Sequence, residues 1–197
     1  AAPLPCPGGT TMDASLDVMT SAEQCLICKE GTFCPVGSAN ASLCAPGTVN
    51  PLVRQESCVL CTGGSYQDAV GQTACTVCVA GSYCPVGAAA ALPCAGGTYS
   101  SAIDNNAQSD CTAADAGYFA VTGSVQQTAC AKGTFTNATM AVKDSCMLCS
   151  AGTYQDLEGN TTCKPCPGGC ARPAQLEPAR LELPRPYRCC GHLRCCT

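Results

Sequence analysis

The chain has 197 residues, a net charge of −4, 22 cysteines, only six Tyr and three Phe, and no Trp. Such cysteine density marks a disulfide scaffold of an oxidising compartment, and so few large side chains exclude one shared hydrophobic core. The acidic balance argues against a nucleic-acid partner, and no apolar run approaches the roughly 18 residues of a membrane span.

Taken in order, 1–44 holds the first cysteine-rich repeats, opening at Cys6. Cys25, Cys28, Cys34 and Cys44 follow, and the same gaps recur fifty residues later at Cys75, Cys78, Cys84 and Cys94, within the second block 45–94. The filling recurs too, as G-T-F-C-P-V-G at 31–37 and G-S-Y-C-P-V-G at 81–87. A fixed period predicts stacked small units. The only helical candidate is 12–24, where Met12, Leu16 and Met19 are loosely spaced. Without an initiator Met or a signal-peptide pattern, Ala1 is expected to be a processed or fragment terminus.

The unit reads C-x-x-G-[TS]-[YF]. A Gly stands three places after Cys6, Cys28, Cys44, Cys61, Cys78, Cys94, Cys130, Cys149 and Cys166. Phe33, Tyr66, Tyr83, Tyr99, Phe135 and Tyr154 fill the aromatic place, while Thr11 and Val49 depart from it. Each unit is expected to be a short irregular β-hairpin: Gly allows a positive φ after the cross-link, the Thr/Ser-aromatic pair suits a strand, and Asp and Gly in 66–75 and 154–163 supply turn chemistry. Each aromatic is expected to pack on a disulfide or on the next unit. The fold class is therefore small disulfide-rich repeats forming an elongated rod of hairpins, with little helix and no single large core.

Block 95–170 continues the repeats, with an irregular unit at 111–130. Anchored on G-Y-F at 117–119, the frame places Ala114 and Gln127 where Cys61 and Cys75 stand in the regular array. Joint loss of both inner cysteines is what a Cys61–Cys75 bond predicts. Extended along the chain, that rule pairs Cys6–Cys25, Cys28–Cys34, Cys44–Cys58, Cys61–Cys75, Cys78–Cys84, Cys94–Cys111, Cys130–Cys146, Cys149–Cys163 and Cys166–Cys170. The partners of Cys28, Cys34, Cys78 and Cys84 stay open, because Cys44 and Cys94 are rivals. The tail 171–197 leaves the repeat. It is rich in Pro and Arg and ends in Cys189, Cys190, Cys195 and Cys196 around the only histidine, His192, paired among themselves or between chains.

Both Cys58-x2-Cys61-x13-Cys75-x2-Cys78 and Cys146-x2-Cys149-x13-Cys163-x2-Cys166 have four-thiolate zinc spacing. Against zinc, the irregular unit would keep two ligands of four, whereas the disulfide scheme loses one bond and leaves no orphan. The tail cluster can bind metal, but a disulfide knot is the preferred reading. Asp68 and Asp156, with Gln67 and Gln155, lack the oxygen-rich loop that calcium needs. One histidine in an atypical tail gives no base for a hydrolase, and no cofactor is expected. Asn40, Asn137 and Asn160 stand in N-x-[ST] sequons and are expected to carry glycans.

The motif C-x-x-G-T-Y-Q-D-x-x-G-x-T-x-C-x-x-C at 149–166 resembles the ephrin-receptor-like cysteine-rich repeat. That repeat is related in pattern to tumour necrosis factor receptor-like and growth-factor-receptor-like modules. The resemblance is best at 58–84 and 146–169 and covers about 6–170. The C-P-V-G variant is similar to arrays in large surface proteins of protists and algae. It implies a non-catalytic, disulfide-laddered protein outside the cell, with protein partners through self-assembly or a larger surface assembly, similar to the cysteine-rich proteins of flagellar hairs. A receptor or adhesion ectodomain fragment that binds a protein ligand is the alternative.

Overall fold

The computed structural model describes residues 5–16 and 19–166. Among them are nine two-stranded antiparallel sheets and two 3-10 turns, Ala22–Gln24 and Gln108–Asp110. Each sheet is one hairpin of one repeat. The outgoing strands are Thr10–Thr11, Thr32–Phe33, Thr48–Val49, Ser65–Tyr66, Ser82–Tyr83, Thr98–Tyr99, Tyr118–Phe119, Thr134–Phe135 and Thr153–Tyr154. The returning strands are Leu26–Ile27, Ser42–Leu43, Val59–Leu60, Thr76–Val77, Leu92–Pro93, Thr112–Ala113, Thr128–Ala129, Met147–Leu148 and Lys164–Pro165. Repeats 1 to 9 accordingly open at Cys6, Cys28, Cys44, Cys61, Cys78, Cys94, Ala114, Cys130 and Cys149. The helical candidate at 12–24 is corrected: its described part is the loop of repeat 1, ending in the turn Ala22–Gln24. Three loosely spaced apolar residues give no continuous buried stripe to hold a helix.

A tight turn precedes each outgoing strand. The Thr32 hydroxyl and backbone N–H both donate to the Lys29 carbonyl, and the hydroxyls of Thr10, Thr48, Ser65, Thr134 and Thr153 donate to the residue three before them in the same way. A hydroxyl residue there adds a second bond to that turn besides its strand propensity, while in repeat 7 the Tyr118 N–H alone closes it on the Asp115 carbonyl.

The chain divides into two compact units. One comprises Ala1–Ala95, Tyr99–Thr112 and Thr122–Gln126, the other Gly96–Thr98, Ala113–Val121 and Gln127–Thr197. Both are built by one bonding rule. In the first, the glycine N–H of each repeat donates to the carbonyl just after the aromatic position of the next: Gly9 to Cys34, Gly31 to Asn50, Gly47 to Gln67, Gly64 to Cys84 and Gly81 to Ser100, at 2.7–2.8 Å. In the second, Gly97, Gly117 and Gly133 donate to Ala120, Thr136 and Gln155 at 2.7–2.9 Å. A return bond runs from the loops of repeats 2, 3, 4, 5, 7 and 9 to the first cysteine of the preceding repeat, as from Gly71 N–H to the Cys44 carbonyl and from Gly159 N–H to the Cys130 carbonyl.

The residue after the aromatic position is the buried centre of repeats 2 to 9, whereas Met12 of repeat 1 is exposed. Cys34, Asn50, Gln67, Cys84, Ser100, Ala120, Thr136 and Gln155 are all buried there. The polar ones are satisfied: Asn50 Nδ2 donates to the Thr32 carbonyl, and the Thr136 hydroxyl donates to the Tyr118 carbonyl while accepting from Gly117 N–H. Tyr66 packs against the Cys78–Cys84 disulfide of the next repeat, with Ala88 and Ala91. At the aromatic position of repeat 1, Thr11 instead buries a hydroxyl that has no partner.

Two glycines show why the spacing is so strict. Gly31 has φ +73°, and a Cβ there would overlap the carbonyl of Gly71, two repeats on. Gly71 is itself the loop residue that donates to Cys44, with φ +69°. In repeat 3 the same loop position holds Arg54, whose N–H donates to the Cys28 carbonyl and whose φ is +60°, the one positive-φ non-glycine among the described residues. A side chain in left-handed backbone costs about 1 kcal/mol, partly offset by the extra freedom glycine has in the unfolded chain. Arg54→Gly is therefore expected to stabilise the oxidised chain by about 0.5–1 kcal/mol. Guanidinium denaturation midpoints check this; an unchanged or lower midpoint would show the loop to be relaxed around Arg54.

Candidate functional site

The reactive-looking groups of this chain are its cysteines, and their position relative to the strands decides what they can do. Each C-x-x-C brackets a returning strand: Cys58 and Cys61 flank Val59–Leu60, Cys75 and Cys78 flank Thr76–Val77, and Cys146 and Cys149 flank Met147–Leu148. An extended dipeptide carries its flanking cysteines into different repeats. The first closes its own hairpin and the second opens the next.

The described disulfides are Cys6–Cys25, Cys28–Cys34, Cys44–Cys58, Cys61–Cys75, Cys78–Cys84, Cys94–Cys111, Cys130–Cys146 and Cys149–Cys163. Every bond therefore starts from the first cysteine of a repeat and ends within the same repeat. It has two forms. Repeats 1, 3, 4, 6, 8 and 9 bond to a cysteine at the far end of the hairpin, 14 to 19 residues on. Repeats 2 and 5 bond to the buried place after the aromatic, six residues on. The rivalry of Cys44 and Cys94 is thereby settled: each opens its own repeat.

Bonded sulfurs cannot serve as thiolate ligands. Of the first zinc-spaced set, Cys58 joins Cys44, Cys61 joins Cys75, and Cys78 joins Cys84, so no four thiolates face one point. Among the described residues no group of three or more His, Cys, Asp or Glu is placed to hold a metal. The Cys166–Cys170 pair, Cys189, Cys190, Cys195, Cys196 and His192 involve positions outside the described residues.

Repeat 7 lacks the cysteine rung, and the structure shows what stands in its place. Gln127 Oε1 accepts from Asp115 N–H, and Gln127 Nε2 donates to the Asp115 carboxylate, both at 2.7 Å. Ala114, buried, fills the place of the opening sulfur. The spacing reveals the missing pair, but the polar substitute is signalled in the sequence only by a glutamine at one vacated position.

The Y-Q-D segments owe their repetition to glutamine more than to aspartate. Gln67 Nε2 donates to the Ala74 carbonyl while its Oε1 accepts from Ala69 N–H. Gln155 does the same with Thr162 and Leu157. Each buried amide thus ties the two sides of its loop. Asp156 lies outside that clasp. Its hydrogen bond from Lys164 Nζ at 2.9 Å holds its carboxyl below the usual range and raises the Lys164 ammonium. Backbone N–H groups of Asn106 and Ala107 lower Asp110 similarly, and a Ser15 hydroxyl lowers Asp13.

The three sequons differ. Asn40 is exposed. Asn137 is half-buried and its Oδ1 accepts from both the N–H and the hydroxyl of Thr139. Asn160 is half-buried and donates to the buried Gln155.

What the fold presents outward is aliphatic. Leu26, Ile27, Leu43, Val59, Leu60 and Val77 of the returning strands are exposed in the first unit, and Met147 and Leu148 in the second. Isolated exposed aliphatics are ordinary; a set repeated at one place in successive hairpins is a surface that partners can use. No helix among the described residues is long and apolar enough to cross a membrane.

Residues 47–90 and 133–173 match the family model described as tyrosine-protein kinase ephrin type A/B receptor-like. Those two segments are ephrin-receptor-like repeats, as the motif resemblance implied. No curated protein is significantly similar to the chain. The cysteine-rich repeats are of the kind found in surface or receptor-like modules.

The substitute in repeat 7 makes a direct test of the cross-link's role. Equivalent positions lie 5.7 Å apart between Cα atoms in Cys61–Cys75 and Cys149–Cys163. Ala114→Cys with Gln127→Cys is expected to form one further disulfide, seen as the loss of two hydrogens in the intact mass. The bond should raise stability by about 3 kcal/mol for a loop of about 15 residues. Two free thiols in the folded double variant would contradict the equivalence of repeat 7 with its neighbours.

Proposed function

We propose that this chain is a non-enzymatic structural protein of an extracellular or cell-surface assembly, a coat, fibre or flagellar-hair-like filament built from disulfide-stapled repeats. The observation that carries the reading is the repetition itself. From Gly9 to Gly133 one hydrogen-bonding rule joins repeat to repeat with the same donor and acceptor places, and the recurring places of the motif serve the turn, the rung and the stack. Extended hairpins that carry aliphatic side chains outward pair readily with other chains, and a head-to-tail contact that does not close produces a filament.

The alternative is a receptor or adhesion ectodomain fragment, favoured by the exposed aliphatic positions of the returning strands, which would then meet a protein ligand. In either case the eight described disulfides suit an extracellular or surface location. Glycans on Asn40, Asn137 and Asn160 belong to the same proposal, Asn40 being the freest of the three.

Light scattering on native, oxidised material, before and after enzymatic glycan removal, separates the readings. A very large, polydisperse mass is expected for the assembly protein, with a drop on deglycosylation. A single species near the chain mass of 19.9 kDa plus glycan would contradict assembly and favour the ectodomain.

A further inference from the structure

Repeats 4 and 7 make the same backbone bonds, so the effect of what differs between them can be isolated. In repeat 4, Gly47 N–H donates to the Gln67 carbonyl, Gln67 N–H to Ala88, Gly71 N–H to Cys44, Gly64 N–H to Cys84 and Cys78 N–H to Gly64. In repeat 7 the counterparts run from Gly97 to Ala120, Ala120 to Lys143, Gly123 to Cys94, Gly117 to Thr136 and Cys130 to Gly117, all at 2.7–2.9 Å. Repeat 4 adds the Cys61–Cys75 disulfide and the Gln67 clasp across its loop. Repeat 7 has instead the Asp115–Gln127 hydrogen bonds at its base and one bond from the Thr136 hydroxyl to the Tyr118 carbonyl. Its buried centre is only the methyl group of Ala120.

The covalent difference decides what each repeat can do alone. If the hydrogen bonds of repeat 4 break, Cys61–Cys75 still holds its residues in a ring, and little chain freedom is gained. Repeats 1, 3, 6, 8 and 9 are ringed in the same way. Repeats 2 and 5 are pinned at the centre, which leaves only 35–43 and 85–93 outside a ring. Between Cys111, bonded back to Cys94, and Cys130, bonded on to Cys146, residues 112–129 carry no cross-link. This is the longest such stretch between the described disulfides, and fully extended it would span about 65 Å.

We infer that repeat 7 is a built-in opening point. It unfolds locally in the oxidised chain while repeats 6 and 8 keep their rungs, so the chain lengthens at one place with no disulfide broken. The Asp115–Gln127 pair is the latch that re-forms the base of the hairpin when its strands return. This goes beyond both the assembly and the ectodomain readings and rests on neither.

Amide exchange followed by NMR on the full oxidised chain, corrected for intrinsic rates, tests it. The N–H groups of Ala120, Gly123 and Cys130 are expected to exchange at least about tenfold faster than their counterparts Gln67, Gly71 and Cys78, with little dependence on denaturant. Ala114→Cys with Gln127→Cys, once oxidised, is expected to slow exchange in repeat 7 by about tenfold or more and to leave repeat 4 unchanged. Gln127→Ala removes the latch without adding a cysteine. It is expected to speed exchange in repeat 7 alone by about threefold or more, and it serves if the double variant fails to recover its native disulfides. Equal exchange in the two repeats of the parent chain, a new disulfide that leaves repeat 7 as fast as before, or variants that move repeats 4 and 7 together overturn the inference, because the repeats would then open only as a whole.

Discussion

The constraint on which the structure depends is the covalent bond that closes every described repeat except repeat 7 from its first residue. A hairpin with two-residue strands is unstable alone in water. Here the hairpin between Thr48–Val49 and Val59–Leu60 is tied at its base by Cys44–Cys58, and the next hairpin begins at Cys61 immediately afterwards. In the chain-entropy account such bonds contribute about 2–3 kcal/mol each for loops of roughly 7–20 residues. Full burial of one aliphatic or aromatic side chain contributes about 1.5–3 kcal/mol, and the described aromatic residues are only half-buried. The rung therefore exceeds what packing supplies within any one repeat.

The two forms of closure share a second requirement, which is to fill the place after the aromatic. In repeats 2 and 5 the disulfide itself fills it, through Cys34 and Cys84. In repeats 4 and 9 a glutamine fills it and clasps the loop, and in repeats 3 and 8 Asn50 and Thr136 fill it and bond to the preceding repeat. Polar residues succeed at such a buried place because each finds a backbone partner. Repeat 7 carries the substitution furthest, with Ala120 at the centre and the Asp115–Gln127 pair at the base. A hydrogen-bonded pair keeps the geometry of the rung but not its effect on the unfolded chain.

Much of this was legible in the sequence because covalent and steric demands leave fixed spacings. The C-x-x-G-[TS]-[YF] period gives the hairpins, and the joint loss at Ala114 and Gln127 points to the bond between Cys61 and Cys75. Less legible were demands met by backbone geometry. Gly31 and Gly71 read as turn residues, but their contact spans two repeats and forty positions, which no local pattern encodes. Arg54 gives no sign in the sequence that it occupies a glycine's backbone. Met12, Leu16 and Met19 invited a helix because loose spacing alone does not reveal that a long loop closed by Cys6–Cys25 needs none.

For function, the same economy matters. Among the described residues the recurring side chains of the motif are directed to turns, rungs and the repeat-to-repeat bond, and the outward surface carries aliphatic positions. The most direct measurement of the central claim is amide hydrogen exchange on the oxidised chain and on chain reduced and thiol-blocked under otherwise native conditions. The account expects the N–H groups of Gly31, Gly47, Gly64 and Gly81, which join repeat to repeat, to be protected when oxidised and to exchange at unfolded-chain rates once the rungs are cut. Protection that survives reduction would mean that burial and stacking hold the repeats without their disulfides, and the account would be wrong.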